Sequence, residues 1–228
     1  MKRVIYTLVV LLGSALLTFA VITQAEEKPQ TESALPAASM QAKDFSHLIG
    51  MHGFSDTLLN DHFKLYQGYV KNTNAILDRL DAMLSENRSR TVEYAELERR
   101  LSWEFDGMLL HEYYFENMGG KEPVDVKSAL YKKIAEEFGT FDRWKEDFIS
   151  TGSMRGIGWA VLYWEPRTGK LINTWVDEHD KGNIVAAKPI LVMDVFEHAY
   201  MTDYRLDRAK YIEAFFKNID WKTVQDRF

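Results

Sequence analysis

The sequence predicts an α+β fold, an N-terminal long helical hairpin followed by a C-terminal half with a three-stranded antiparallel sheet flanked by helices. Two observations predict it. Apolar residues recur at helical spacing from about Ser55 to Met118, and after Gly152 the chain switches to short runs of β-branched and aromatic residues separated by turn signals. With 228 residues and 46% hydrophobic content, the chain has enough apolar surface for one or two cores.

Residues 1–25 open with Lys2 and Arg3, continue through an apolar run from Val4 to Ile22, and reach Thr23-Gln24-Ala25. That is the layout of a secretory signal peptide with a small-residue cleavage site. The alternative is an uncleaved N-terminal anchor, since the apolar run approaches the roughly 20 residues that span a bilayer. Both place the folded part outside the cytoplasm, in the periplasm or another extracytoplasmic space, with membrane attachment only if the segment stays uncleaved. Residues 26–46 are polar and rich in Pro, Ala and Ser, and read as a disordered linker.

A helical hairpin domain is expected over 47–120. Ser55-Asp56-Thr57 opens the first helix, which carries Leu58, Leu59, His62, Leu65, Tyr66, Tyr69, Ile76, Leu77 and Leu80 on its apolar stripe to about Leu84. The second runs from about Val92 to Met118 and is stopped by Gly119-Gly120. An α/β C-terminal domain is expected over 121–228. Pro123 should start a helix ending at Gly139, and Thr140 should cap another through about Ile149. Ile157–Trp164, Lys170–Val176 and Pro189–Met193 read as strands, the first two joined by a hairpin loop over Glu165–Gly169. A helical stretch from about Glu197 to Ile219 closes the chain.

Charge and composition exclude several classes. With 28 Lys and Arg against 34 Asp and Glu, the net charge is −6, so the chain lacks the broad basic face of a general nucleic-acid binder. Loss of Lys2 and Arg3 with a cleaved leader leaves 26 positive against 34 negative, a mature charge of −8. An anionic substrate would then need local positive steering, for which Arg205, Arg208 and Lys210 are candidates. There is no Cys, so no disulfide framework exists and packing and metal must supply stability. Gly152-Ser-Met-Arg-Gly156-Ile-Gly158 imitates a phosphate loop but leads into a strand and lacks the Lys-Ser/Thr that follows such a loop, so it reads as a turn.

The histidines carry the chemistry. His47 and His52 lie near the linker and read as solvated surface residues. His62 sits on the apolar stripe of the first helix, and His111 lies among Met108, Leu109, Leu110, Tyr113, Tyr114 and Phe115 on the second. Asp194-Val-Phe-Glu-His198 puts a carboxylate at the end of a hydrophobic strand and an imidazole four residues later. Three imidazoles and one carboxylate form a ligand set suited to iron, manganese or zinc with an open position. The competing reading makes Asp194 the cap of the last helix and His198 a buried structural residue.

Asp194-Val-Phe-Glu-His-Ala-Tyr200 resembles the metal signature of the iron/manganese superoxide dismutase family. Phe138-Gly-Thr-Phe-Asp142, Gly156-Ile-Gly-Trp159, Lys188-Pro-Ile-Leu191 and the run Tyr211–Trp221 are similar to that family in order and spacing, and the resemblance spans roughly 54–228. It implies a superoxide dismutase with one iron or manganese ion per subunit, iron the preferred metal, held by His111, Asp194, His198 and a first-helix ligand. It implies an aromatic wall from Trp159 and Phe196, and a homodimer through Glu197 and Tyr200.

Two departures from the family pattern stand out. The family places the first ligand histidine eight residues before the gateway tyrosine. Here His62 precedes Tyr69 by seven, and Asp61 occupies the in-register position. His62 as ligand with a shifted helix, Asp61 as ligand, and an incomplete site are the three possibilities. Helical geometry favours His62, because Tyr66 and Tyr69 at i+4 and i+7 lie within about 40° of its direction while Asp61 is turned about 100° away. Tyr66 or Tyr69 is then the gateway hydroxyl. His179, in Asp177-Glu-His-Asp180, falls where manganese-type members carry a glutamine that bonds metal-bound solvent, and it is expected to take that role rather than lie on the loop surface.

Two rivals to dismutation follow from the same residues. An oxygen-activating iron enzyme uses two histidines and a carboxylate but needs an organic-substrate pocket. A degenerate exported metal-binding protein of the same fold would bind metal without turnover.

Overall fold

A computed structural model gives the structure of the chain and describes residues 39–228, which form one compact unit. The expected signal or anchor over 1–25, and the linker as far as residue 38, lie outside the described residues. Among the described residues no helix is long and apolar enough to cross a membrane.

Two helices form the hairpin, α1 (Asp56–Ser85) and α2 (Val92–Glu116). Each begins where a hydroxyl satisfies an otherwise orphaned amide: Ser55 Oγ accepts from Leu58 N–H and Thr91 Oγ1 from Tyr94 N–H. The buried positions of α1 include Leu58, Leu59, His62, Tyr66, Tyr69, Val70 and Thr73, so α1 is a regular helix whose 3.6-residue period carries one stripe into the core. Residues 39–46, grouped with the linker by composition, instead pack on the hairpin. The Met40 amide donates to Asn74, Lys43 Nζ lies 2.6 Å from Glu112 and 2.7 Å from Glu116, and Phe45 is buried. Composition misses this because two anchors, Phe45 and Lys43, hold a segment that is otherwise polar.

The second helix ends at Asn117, two residues before the glycines. The Asn117 amide donates to the carbonyls of Tyr114 and Val192 and its Oδ1 accepts from the Val192 amide, which ties the end of α2 to the last strand. Pro123 does not begin α3, which spans Ala129–Phe138 behind a Ser128 cap. Asp125 draws the intervening residues into a turn by accepting from the Lys127 amide, a local bond that competes with helix. Thr140 caps α4 (Phe141–Gly152) as expected.

The sheet has the order β2-β1-β3, with β1 (Gly158–Glu165) antiparallel to both β2 (Lys170–Asp177) and β3 (Lys188–Asp194). The central strand is buried at seven of its eight positions, which explains its continuous apolar run. Glu165 closes the β1–β2 hairpin by accepting from the Arg167 and Thr168 amides.

The closing helical stretch is not continuous. It divides into a 3₁₀ turn at Glu197–Ala199, α5 (Met201–Tyr204), α6 (Arg208–Lys217) and α7 (Trp221–Asp226). Arg205 has φ of 51°, a left-handed conformation no helix continues through, and Asp207 and Asp220 cap the helices that follow. The 3₁₀ turn directly after β3 brings His198 back onto Asp194.

Candidate metal centre

Four elements deliver the ligands: α1 brings His62, α2 brings His111, the end of β3 brings Asp194 and the following 3₁₀ turn brings His198. One ligand atom from each lies within 4.8 Å of every other. Asp194 Oδ2 is the hub, 3.1 Å from His62 Nε2, 3.1 Å from His198 Nε2 and 3.7 Å from His111 Nε2. Its other oxygen accepts from the Phe196 amide at 2.8 Å, which fixes the carboxylate's orientation. Asp61, by contrast, is solvent-exposed and 3.5 Å from Lys64. One helical step of 100° separates it from the core, so His62 is the first-helix residue in the cluster.

The tautomer of His111 follows from its surroundings. Its Nδ1 lies 2.6 Å from the Gly107 carbonyl, which can only accept, so Nδ1 carries the proton. Its Nε2 lone pair is buried without a partner and aimed into the cluster. An unpaired buried nitrogen is costly unless something occupies the space before it. Three imidazole nitrogens and a carboxylate oxygen, with that lone pair among them, fit a divalent or trivalent first-row metal.

The charges agree. Burial raises the Asp194 carboxyl, but the electrostatic interaction with His198 and the hydrogen bonds from His198 and His62 outweigh it and hold the group well below the usual carboxylate range. Burial pushes His62 down, and it pushes His111 well down, aided there by His62. Neutral imidazoles at His62 and His111 beside an ionised carboxylate are the protonation states that metal binding needs.

Aromatic rings wall the cluster. Trp159 stands edge-on to His111 at 4.9 Å, and Phe196 stacks on His198 at 5.1 Å and His179 at 4.8 Å. His179 is fully buried rather than on a loop surface. The Trp159 indole, which can only donate, gives its N–H to His179 Nδ1 at 3.0 Å. The neutral ring therefore carries its proton on Nε2 and donates to the Tyr69 hydroxyl at 2.8 Å, leaving the Tyr69 proton free for another acceptor. Both nitrogens of His179 thus have protein partners.

Tyr66 goes elsewhere. Its hydroxyl donates to Glu112 at 2.9 Å and accepts from the Lys43 amide at 2.9 Å; burial lifts it to about 12. Of the two tyrosines considered for the gateway, Tyr69 is the one whose hydroxyl joins His179. Sequence reasoning passed over Gly107. A Cβ there would lie 2.7 Å from the Tyr69 ring and 3.2 Å from His179. A glycine inside a helix costs about 1 kcal/mol relative to Ala, and that cost was the available signal.

Burial lowers His179 to about 4. Above pH 6.5 the ring is neutral folded or unfolded, so the shift has no effect. Between pH 6.5 and 4 only the unfolded chain takes the proton, and stability falls as the pH drops. The metal-free protein should therefore lose about 2 kcal/mol more between pH 7 and pH 5 than its His179→Gln variant, by denaturant unfolding at the two pH values. Equal losses would show that His179 is not buried in this way.

A helical hairpin and a three-stranded sheet that together aim three imidazoles and an aspartate at one point define a mononuclear metalloprotein of α+β class. Residues 126–227 match the family described as iron/manganese superoxide dismutases, C-terminal domain. The chain is 36% identical over 197 residues to the iron superoxide dismutase of Aquifex pyrophilus, covering 83% of this chain and 91% of that one. It is 37% identical over 173 residues to the iron superoxide dismutase of Methanothermobacter marburgensis, covering 73% and 83%. It is 36% identical over 172 residues to a manganese superoxide dismutase of Haloferax volcanii, covering 73% and 82%. The chain belongs to the iron/manganese superoxide dismutase family, whose members use iron or manganese.

Proposed function

We propose that the chain is an exported superoxide dismutase that works with iron by preference and otherwise with manganese. The observation that carries the reading is the convergence of His62, His111, Asp194 and His198 on one point, beside the aromatic rings of Trp159 and Phe196. His62, His111, Asp194 and His198 would hold an ion that supplies one-electron redox chemistry, for the overall conversion of two superoxide ions and two protons to dioxygen and hydrogen peroxide.

The chain's own groups do the rest. The four ligands hold the ion, with Asp194 supplying the negative charge that offsets part of the metal's. Trp159 and Phe196 exclude bulk water, which strengthens every electrostatic contact inside. Tyr69 is the proton-handling group: His179 Nε2 donates to its oxygen, so its own proton points away from His179 and serves an acceptor in the site. Burial holds the Tyr69 hydroxyl above its ordinary value, so it stays protonated at neutral pH. His179 acts on the site through Tyr69.

Export rests on the basic, apolar and small-residue pattern of residues 1–25. Iron is favoured by the iron-named relatives at 36% and 37% identity, and manganese relatives of similar identity keep the second metal open. A homodimer through Glu197 and Tyr200 is supported at Glu197, which is exposed beside a His198 side chain 29% exposed, whereas Tyr200 is buried within the chain with its hydroxyl accepting from Arg208.

The test is elemental analysis and superoxide dismutation measured together on purified protein reconstituted separately with iron and manganese. One ion per chain with rapid dismutation supports the reading and names the metal. Stoichiometric metal without dismutation would make the chain a metal-binding member that has lost turnover.

A further inference from the structure

His179 reaches Tyr69 from a loop that bends sharply to aim it. Between β2 and β3 the Asp177 amide donates to the Lys181 carbonyl at 2.7 Å, closing a turn in which Glu178 has φ of 50° and Gly182 φ of 103°. A Cβ at Gly182 would lie 2.7 Å from the Trp175 carbonyl oxygen, so glycine alone lets the loop fold back onto the strand. The Glu178 carboxylate accepts from the Trp103 indole and the Lys181 ammonium, each at 2.9 Å, which fastens the turn from outside. Asn183 grips the backbone of His179 itself. Its Nδ2 donates to the His179 carbonyl at 2.9 Å and to Asp106 Oδ2 at 3.1 Å, and its Oδ1 accepts from the Tyr163 hydroxyl at 2.8 Å. A carbonyl can only accept, so the orientation of the amide is settled, and both N–H groups and the oxygen are used.

One side chain therefore ties the His179 loop to α2 through Asp106 and to the central strand through the buried Tyr163. Asp106 directly precedes Gly107, the glycine that leaves room for Tyr69 and His179, so the loop is referred to the turn of α2 that shapes its pocket. The Asp106 charge is costly to keep there. Burial and the Asp180 carboxylate lift Asp106 from 3.8 to about 6, and one Asp180 oxygen is itself buried without a partner. Because the folded value lies above the unfolded one, ionised Asp106 destabilises the fold above pH 6, and that stability returns as the pH falls. Stability does not explain its presence. The titratable groups facing it are Asp180 from the loop and Tyr163 from β1; Lys181, which acts on Asp180, is paired with Glu178. Burial and the Asp106 charge push Tyr163 upward, so it keeps its proton and goes on donating to Asn183. Ionised at neutral pH, Asp106 gives the Asn183 amide a charge-assisted acceptor, stronger than a neutral one.

We propose that Asn183 is the positioning residue for His179 and that the Asp106 carboxylate anchors it: with Asp106 ionised the His179 ring stays seated on Tyr69, and with Asp106 protonated that hold slackens. Both residues act through His179. The inference rests on Tyr69 and His179 as the proton-handling pair and adds what keeps the pair assembled.

The test reads the His179 ring N–H by NMR in nitrogen-labelled, metal-free protein between about pH 5 and pH 8, with metal content and kcat of the loaded protein measured beside it. Wild type should show a sharp Nε2–H signal above pH 6 that broadens as the pH falls through about 6, while His179, lowered to about 4, is still neutral. Asp106→Asn keeps the shape and an acceptor but never carries the charge, so its signal should not change over that range. Asn183→Ala should hold metal at the wild-type ratio, lack the sharp signal at every pH, and lower kcat about tenfold, short of the roughly 10²-fold that a 1 Å misplacement can cost. An Asp106→Asn protein whose signal still changes with pH as in wild type would overturn the proposal, even if Asn183→Ala does not fold. So would an Asn183→Ala protein with the wild-type signal and kcat. The expected signals in a protein without dismutation would leave the positioning role standing and remove the enzymatic reading instead.

Discussion

Replacing His62 by Ala should empty the metal centre, while Asp61→Ala should leave it filled. The difference is large because the two neighbours have opposite surroundings. His62 Nε2 lies 3.1 Å from the Asp194 oxygen at the hub of the cluster, whereas Asp61 points to solvent and pairs with Lys64. Changing a residue that merely supports a ligand costs about 10–100-fold in metal affinity, and removing a ligand should exceed that. Metal per chain after dialysis against a chelator should fall to background in His62→Ala and match wild type in Asp61→Ala. The reverse result would give the ligand role to Asp61. The seven-residue spacing to Tyr69 then has a simple account. In a continuous helix seven steps of 100° return within about 20° of the starting direction, so His62 and Tyr69 reach the same interior, while eight steps would leave them about 80° apart.

Gly107→Ala should keep the metal and lose most of the activity. Alanine is the better helix former by about 1 kcal/mol, so the helix itself would gain. The added methyl, however, would sit 2.7 Å from one Tyr69 ring carbon and 2.8 Å from the next, closer than real contacts allow, and 3.2 Å from His179. Neither ring can retreat freely. Tyr69 lies against Trp103 on one side and His111 on the other, and His179 is held by Trp159 and stacked on Phe196. Overpacking of this kind costs about 1–3 kcal/mol, and displacing the hydroxyl by about 1 Å should lower turnover about 10²-fold. The His111 bond uses the Gly107 carbonyl, which the substitution leaves in place. Metal content unchanged with kcat reduced is the expected pair of results; wild-type kcat would show that the Tyr69–His179 arrangement is dispensable.

The sheet, the hairpin and their order were readable because each depends on local pattern. Alternation and β-branched runs mark the strands, the 3.6-residue stripe marks α1, and Ser55, Thr91 and Thr140 mark helix starts. Where local bonds compete, the reading slipped. Asp125 turns the chain where Pro123 predicts a helix start, and the break at Arg205 divides what periodicity joins. The packing of Met40–Ser46 escaped notice because a short segment with two anchors has no period to detect.

At the site, the sequence by itself determined the ligand chemistry. Asp194 and His198 are four residues apart, and His111 lies in an apolar helix face, both visible in one dimension. Only the tertiary structure decided which of Asp61 and His62 turns inward, which of Tyr66 and Tyr69 meets His179, and which tautomers His111 and His179 adopt. Those choices depend on partners tens of residues distant. Trp159 fixes the His179 proton, Glu112 takes the Tyr66 hydroxyl, and the missing Cβ of Gly107 makes the space in which Tyr69 and His179 meet. Residue type sets what a side chain can bind, and packing sets what it faces.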